Sequence, residues 1–251
     1  LSLTALHWLG ARPAASGDLP GLWWSSPAGI HLLPERTAGG PDVALDGVPL
    51  VEETLVWRAA GDHGGAPGPV GTLTHGERLI EPLERGGAPL GGVNRGLRVR
   101  DPQAPALRSF TGVPTFDHDP GWRLLGTLRR HPAPERVELG SAAGRVRHVQ
   151  ELVGEVSFRR DGVEHVLQVA GGDRLSVTFR DATNGRQTAA FRVLTLEAAP
   201  DGAPDGTVVV DLNRAENPPC AFTDHGTCPL PPAANTLAVA VLAGERTPTG
   251  R

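Results

Sequence analysis

The sequence predicts an all-β protein, a mostly antiparallel barrel or sandwich of about a dozen strands with little helix. Three observations carry that expectation. Short apolar runs recur at steady spacing along the 251 residues. The turn formers, 33 Gly and 24 Pro, fall between those runs and stay short of the density that marks disorder. No stretch keeps a helical apolar period for three turns. Nothing repeats at a fixed interval, which argues against a solenoid or propeller.

The elements follow in order. Residues 1–9, LSLTALHWL, read as a strand. Residues 12–28 read as a loop of small residues and proline. The adjacent Trp23 and Trp24 would point to opposite faces, one packed and one near a surface. Apolar runs follow at 29–33, 42–45, 48–57, 70–73 and 78–83, with Asp46-Gly47 as a hairpin turn between two of them. Residues 62–68 read as a surface loop, so Asp62 and His63 are read as solvated and not as metal ligands. Residues 91–100 alternate apolar and basic, as a half-exposed strand does, and 101–105 break it. The turn-rich stretch 110–122 connects two halves. The expectation is one domain over 1–251, made of two packed sub-sheets of about 1–100 and 101–251. Asp117-His118-Asp119 within that stretch reads as a turn before Pro-Gly, since sequence neighbours rarely converge on one ion.

In the second half, Trp122, Leu124, Gly126 and Leu128 share one face of a long strand. Asp161-Gly162 is the strongest hairpin signal, joining 155–160 to 163–169. His165 falls in the apolar register and is expected to be a satisfied core histidine. Asn184-Gly185 turns between runs at 175–179 and 187–196. Residues 207–212 form a continuous apolar strand that should lie deep, and 237–242 form the last strand.

The formal charge is −4 and every cation is arginine. The groups Arg95, Arg98, Arg100 and Arg129-Arg130 read as solvated strand faces, so nucleic acid is not an expected partner. No apolar run reaches the length of a membrane span. The first residue is Leu1 and the sequence has no Met. A cytoplasmic protein is expected, with a removed leader left open. The pattern assigns no oligomeric state. There is no nucleophile elbow, phosphate loop, H-E-x-x-H or C-x-x-C, so no cofactor is assigned and enzymatic activity stays undecided.

The candidate site is the segment 211–235, DLNRAENPPCAFTDHGTCPLPPAAN. Asp211 ends the deep apolar strand, and the two-residue period places Asn213 on the same side. Pro218-Pro219 holds Asn217 extended, and Pro229, Pro231 and Pro232 stiffen the far end. Asp211, Asn213, Asn217 and Asn235 are the expected donors and acceptors for a small polar molecule, with Arg95 or Arg192 as anion partners. Cys220 and Cys228 are expected to be structural, bonded or free. Their C-x7-C spacing is not that of zinc, and His225 with Asp224 beside it leaves the ligand set incomplete, so no metal is assigned. Two alternatives stand beside the binding module. One is a hydrolase using Cys220, or a metal near His225 and Cys228. The other is a plug whose amides satisfy only backbone.

The run N-R-A-x-N-P-P-C-A-F-T, followed by T-C-P-L-P-P-x-x-N and A-G-E, resembles the C-terminal signature of a bacterial and archaeal family, domain of unknown function 1684. Residues 1–9, 96–102 (GLRVRDP), 110–122 and 179–188 (FRDATNGRQT) extend the likeness over nearly the whole chain. The resemblance marks Asp211, Asn213, Asn217, Cys220, Cys228, Pro229 and Asn235 as motif positions, and it implies no activity. The chain departs from the family pattern at Glu216, where an aromatic is usual, and near His225, where a Tyr is usual. It departs again at Ala189-Ala190-Phe191, where a glycine-rich stretch usually precedes the arginine.

Overall fold

A computed structural model describes residues 1–35, 42–59, 68–86, 92–171, 174–199, 202–204 and 206–250. Its sheets are antiparallel, and the single α-helix among the described residues is the short turn α1, Pro105–Ser109. Asp62 and His63 lie outside the described residues. The chain divides into two compact units, Leu1–Ser109 and Phe110–Arg251.

The first unit holds eleven described strands. These are β1 (Leu3–Trp8), β2 (Ala14–Ser16), β3 (Leu19–Ser26), β4 (Gly29–Leu33), β5 (Val43–Leu45), β6 (Val48–Pro49), β7 (Thr54–Arg58), β8 (Gly68–Pro69), β9 (Leu73–His75), β10 (Arg78–Gly86) and β11 (Val93–Arg100). They form two sheets, ordered β1-β11-β10-β9-β5-β6 and β2-β3-β4-β7-β8. Trp23, Ile30, Leu32 and Val56 of the second sheet share a core with Leu73, Ile80, Leu97 and Val99 of the first. The period of two does this work: on β11, Leu97 and Val99 are buried while Arg98 and Arg100 are half-buried.

Two readings of this unit change. Residues 14–16 and 19–26 are strands where a loop was expected, because Gly17 at φ 59° and Asp18 turn the chain into a short hairpin. Trp23 is buried, and Trp24 lies half-buried and stacked on His31 with ring centroids 5.0 Å apart. The arginines of β11 are not a freely solvated face. Arg95 lies opposite Glu84 and donates from Nε to its carboxylate at 2.9 Å, and Arg100 donates likewise to Glu81 at 2.8 Å.

The second unit is built on one sheet. Its strands are β12 (Arg123–Leu139), β13 (His148–Arg160), β14 (Val163–Ala170), β15 (Ser176–Phe179), β16 (Arg192–Thr195), β17 (Glu197–Ala198) and β18 (Thr207–Asp211), in the order β16-β15-β14-β13-β12-β18-β17. Asp161 (φ 50°) and Gly162 (φ 80°) make the tight turn between β13 and β14, as the sequence predicts. Val156, Phe158, Leu167, Val177, Phe179, Leu194 and Val210 fill the core with Trp122. His165 is buried against Phe158 at 5.4 Å between ring centroids, but its Nε2 has no hydrogen-bond partner among the described residues.

Two expected strands are shortened or lost. β16 begins at Arg192, since residues 184–188 close a turn of their own. Residues 237–242 bury Leu237 and Val241 yet form no strand. Their backbone groups go elsewhere: Leu237 N donates to Arg180 O, and Val241 O accepts from the Arg192 guanidinium. Farther on, Phe116 N donates to Gly244 O and Arg246 N to Pro114 O, so the start of this unit pairs with its end. No helix among the described residues is long and apolar enough to cross a membrane.

Candidate functional site

The deep strand β18 delivers Asp211 to the start of a 3-10 turn, Leu212–Arg214. The Asp211 carboxylate caps that turn, accepting from Asn213 N at 3.2 Å and from Asn213 Nδ2 at 3.0 Å. Arg123 lies 3.6 Å from its other oxygen. Asn213 in turn clamps a distant turn. Asp119 N donates to Asn213 Oδ1 at 3.1 Å, and Asn213 Nδ2 donates to Asp119 O at 2.9 Å. Asp119, read from sequence as part of a turn, caps the 3-10 turn Pro120–Trp122.

Asn235 repeats the device inside the sheet, where it is fully buried. The β14 and β15 strands share one ladder pair, Ala170 with Ser176. Asn235 sits beside them like an extra strand residue. Gln168 N donates to its Oδ1 at 2.7 Å, and its Nδ2 donates to Gln168 O at 2.9 Å and Thr178 O at 3.0 Å. Asn217 holds the chain terminus: its N donates to Glu245 Oε2 at 2.6 Å and its Nδ2 to Arg246 O at 2.8 Å. Its buried Oδ1 has no partner among the described residues.

Arg192 is wholly buried. It donates to Asp181 Oδ2 at 2.9 Å and to the carbonyls of Val241, Ala243 and Glu245, while Phe179 lies under its guanidinium. Burial pulls its pKa below the ordinary guanidinium value, and the Asp181 and Glu245 carboxylates oppose that pull. Asp181 also accepts from Thr183 N and Oγ1 and from Val241 N, so its carboxylate is fully engaged with Arg192, while Arg192 Nε has no hydrogen-bond partner among the described residues. Arg95 belongs to the first unit and is used there, donating to Glu84, Ser25 and Ser26.

The cysteines are both half-buried and are not joined in a disulfide. Cys220 N points at Cys228 Sγ, 3.3 Å away. His225 N donates to Thr223 Oγ1 within the same turn. No group of three or more His, Cys, Asp or Glu side chains among the described residues could hold a metal ion.

A cavity of about 500 Å³ lies against this segment. One wall is the turn 185–191, contributing Arg186, Thr188 and Phe191; the other is Pro218, Cys220, Ala221 and Asp224; Thr247 completes it. Asn184 stiffens the first wall, donating from Nδ2 to Thr188 Oγ1 at 2.9 Å and Ala189 O at 2.8 Å. Of the residues singled out in the sequence, Cys220, Asp224, Pro218 and Ala189-Ala190-Phe191 line this space, while Asp211, Asn213, Asn217, Asn235, Arg95 and Arg192 do not. Arg186, Thr188 and Thr247 were not singled out. The one signal for them was the Asn184-Gly185 turn, which places a loop there without saying what it faces.

A model of a family described as a protein of unknown function, DUF1684, matches residues 108–246, more than half of the chain. The chain belongs to this family. The DUF1684 match begins one residue before the end of the first unit and takes in the clamps, the cysteines and every cavity residue but Thr247. A similar solved structure is the solution NMR structure of an uncharacterized protein of Haloarcula marismortui. It is 36% identical over 56% of this chain and 79% of that one, with a TM-score of 0.46. No curated protein matches the chain.

Proposed function

We propose that this DUF1684 protein is a binding module for a small polar molecule, held in the cavity between the turns 185–191 and 218–224. The cavity itself carries the reading. At about 500 Å³ it falls within the range of small-molecule sites, roughly 300–1,000 Å³. It combines the Arg186 guanidinium, Thr247 and the Asp224 carboxylate, while the Thr188 hydroxyl is taken up by Thr183 and Asn184, and Arg186 has no ion pair among the described residues. In this reading Asp211, Asn213, Asn217 and Asn235 hold the walls and do not touch the ligand, because none of them lines the cavity and each bonds to backbone elsewhere. A thermal-shift screen with small carboxylates, phosphates, sugars and amino acids tests it. A hit should raise Tm, and Arg186→Ala should abolish the shift while leaving the Tm of the free protein unchanged. An equal shift in the variant, or no shift from any class, overturns it.

One observation favours a second reading, the plug without a ligand. Asn213 and Asn235 each pair both faces of the side-chain amide with backbone, as a purely structural clamp would. The same screen separates the two readings, since a plug gives no ligand response at any concentration.

A further inference from the structure

We infer that Cys220 and Cys228 form a reversible redox pair, a dithiol that peroxides close to an intramolecular disulfide. Two independent features bring the sulfurs together. Cys228 Sγ lies 3.3 Å from the Cys220 backbone nitrogen, so it sits within a side-chain rotation of the Cys220 sulfur. The loop between them also folds back on itself. A Cβ at Gly226 would stand 2.8 Å from both Cα and Cβ of Cys220, so glycine lets residue 226 lie directly on Cys220 and returns the chain to 228. Both cysteines are half-buried and neither is sealed from solvent, so a small oxidant need only enter this turn to reach them. A disulfide places its Cβ atoms about 3.8 Å apart, so closure requires local movement of this turn to bring Cys220 and Cys228 to that separation.

The chemistry closes on the two residues and one peroxide. The thiolate of one cysteine attacks a peroxide oxygen; the O–O bond breaks, the departing hydroxide takes a proton and leaves as water, and the cysteine becomes a sulfenic acid. The sulfur of the second cysteine attacks the sulfenic sulfur, loses its proton, and releases a second water as the S–S bond forms. The dithiol gives up two electrons and two protons, and hydrogen peroxide becomes two waters.

Cys220 lines the proposed cavity, so bonding it to Cys228 alters that wall. That consequence rests on the binding reading; the disulfide itself does not. The test treats the reduced full chain with hydrogen peroxide near stoichiometry. Titratable thiols should fall from two to none, intact mass should drop by two hydrogens, and dithiothreitol should restore both. The oxidised chain should stay monomeric on a non-reducing gel and melt higher than the reduced one. Cys228→Ser should instead gain one oxygen, trapped as a dimedone adduct at Cys220. Two persisting thiols, oxygen addition to the unaltered chain, or a covalent dimer each overturns the inference. If the disulfide forms but ligand response in the screen is unchanged, the link to the cavity falls and the redox pair stands.

Discussion

A side-chain amide carries a donor and an acceptor about as far apart as the two hydrogen-bonding groups of a strand residue, so asparagine can stand in for a missing strand. Asn235 does so at Gln168 and Thr178, and Asn213 does so at Asp119. Asn235→Ala should therefore cost about 1–3 kcal/mol for each buried group left unpaired. The near-isosteric Asn235→Asp should fall at least as far, because it sets a carboxylate oxygen against two carbonyls. Urea unfolding of the three proteins checks this, and an unchanged Asp variant contradicts it. A different residue governs acid behaviour in the first unit. The hydrogen bond from Arg78, with the nearby charges of Arg78 and His7, holds the Asp18 carboxyl below its usual 3.8. Because the folded value is depressed, the stabilisation is full above the unfolded value and fades as pH falls through the folded one. Asp18→Asn should thus lower the unfolding midpoint at pH 6 and converge with the unaltered protein as pH falls below 3.8 and through the depressed folded value, as a pH series of melts would show. Asp18 is largely exposed, so the difference should be small and should shrink in salt.

At the scale of elements, the long hairpin of β12 and β13 depends on one missing side chain. Gly126 faces the core, where a Cβ would lie 2.8 Å from Val156 Cγ2 and 3.0 Å from Val210 Cγ2. The glycine lets β13 and β18 close on β12 from both sides, against the usual weakening of a strand by glycine. Gly126→Val should destabilise by about 1–3 kcal/mol through overpacking, and its unfolding midpoint should drop without a change in denaturant slope. The pair of residues at the β13–β14 turn behaves as its sequence says, because turn geometry is local: Asp161 and Gly162 adopt the positive φ that their residue types allow. The segment 237–242 shows the opposite case. It alternates like a strand, yet Arg192 and Asn235 take up the backbone groups that a neighbouring strand would have used.

Across the whole chain, the two buried clusters share no residue; one lies in Leu1–Ser109 and the other in Phe110–Arg251. A fragment of residues 110–251 should consequently fold by itself, with a β-type far-UV spectrum and a cooperative melt. A fragment that also lacks 241–251 should not, because the buried Arg192 would lose the carbonyls of Val241, Ala243 and Glu245 that it donates to. The strand and turn alternation and the depth of β18 were legible in the sequence, since period and turn residues are properties of neighbours in the chain. Only the tertiary structure decided what the amides hold, because Asn213 reaches a partner 94 residues away and Asn235 one 67 away. The cavity lined by Arg186 and Thr247 has the same origin. Its walls come from turns far apart in sequence, and a space between non-neighbouring turns leaves no mark on the spacing of either one.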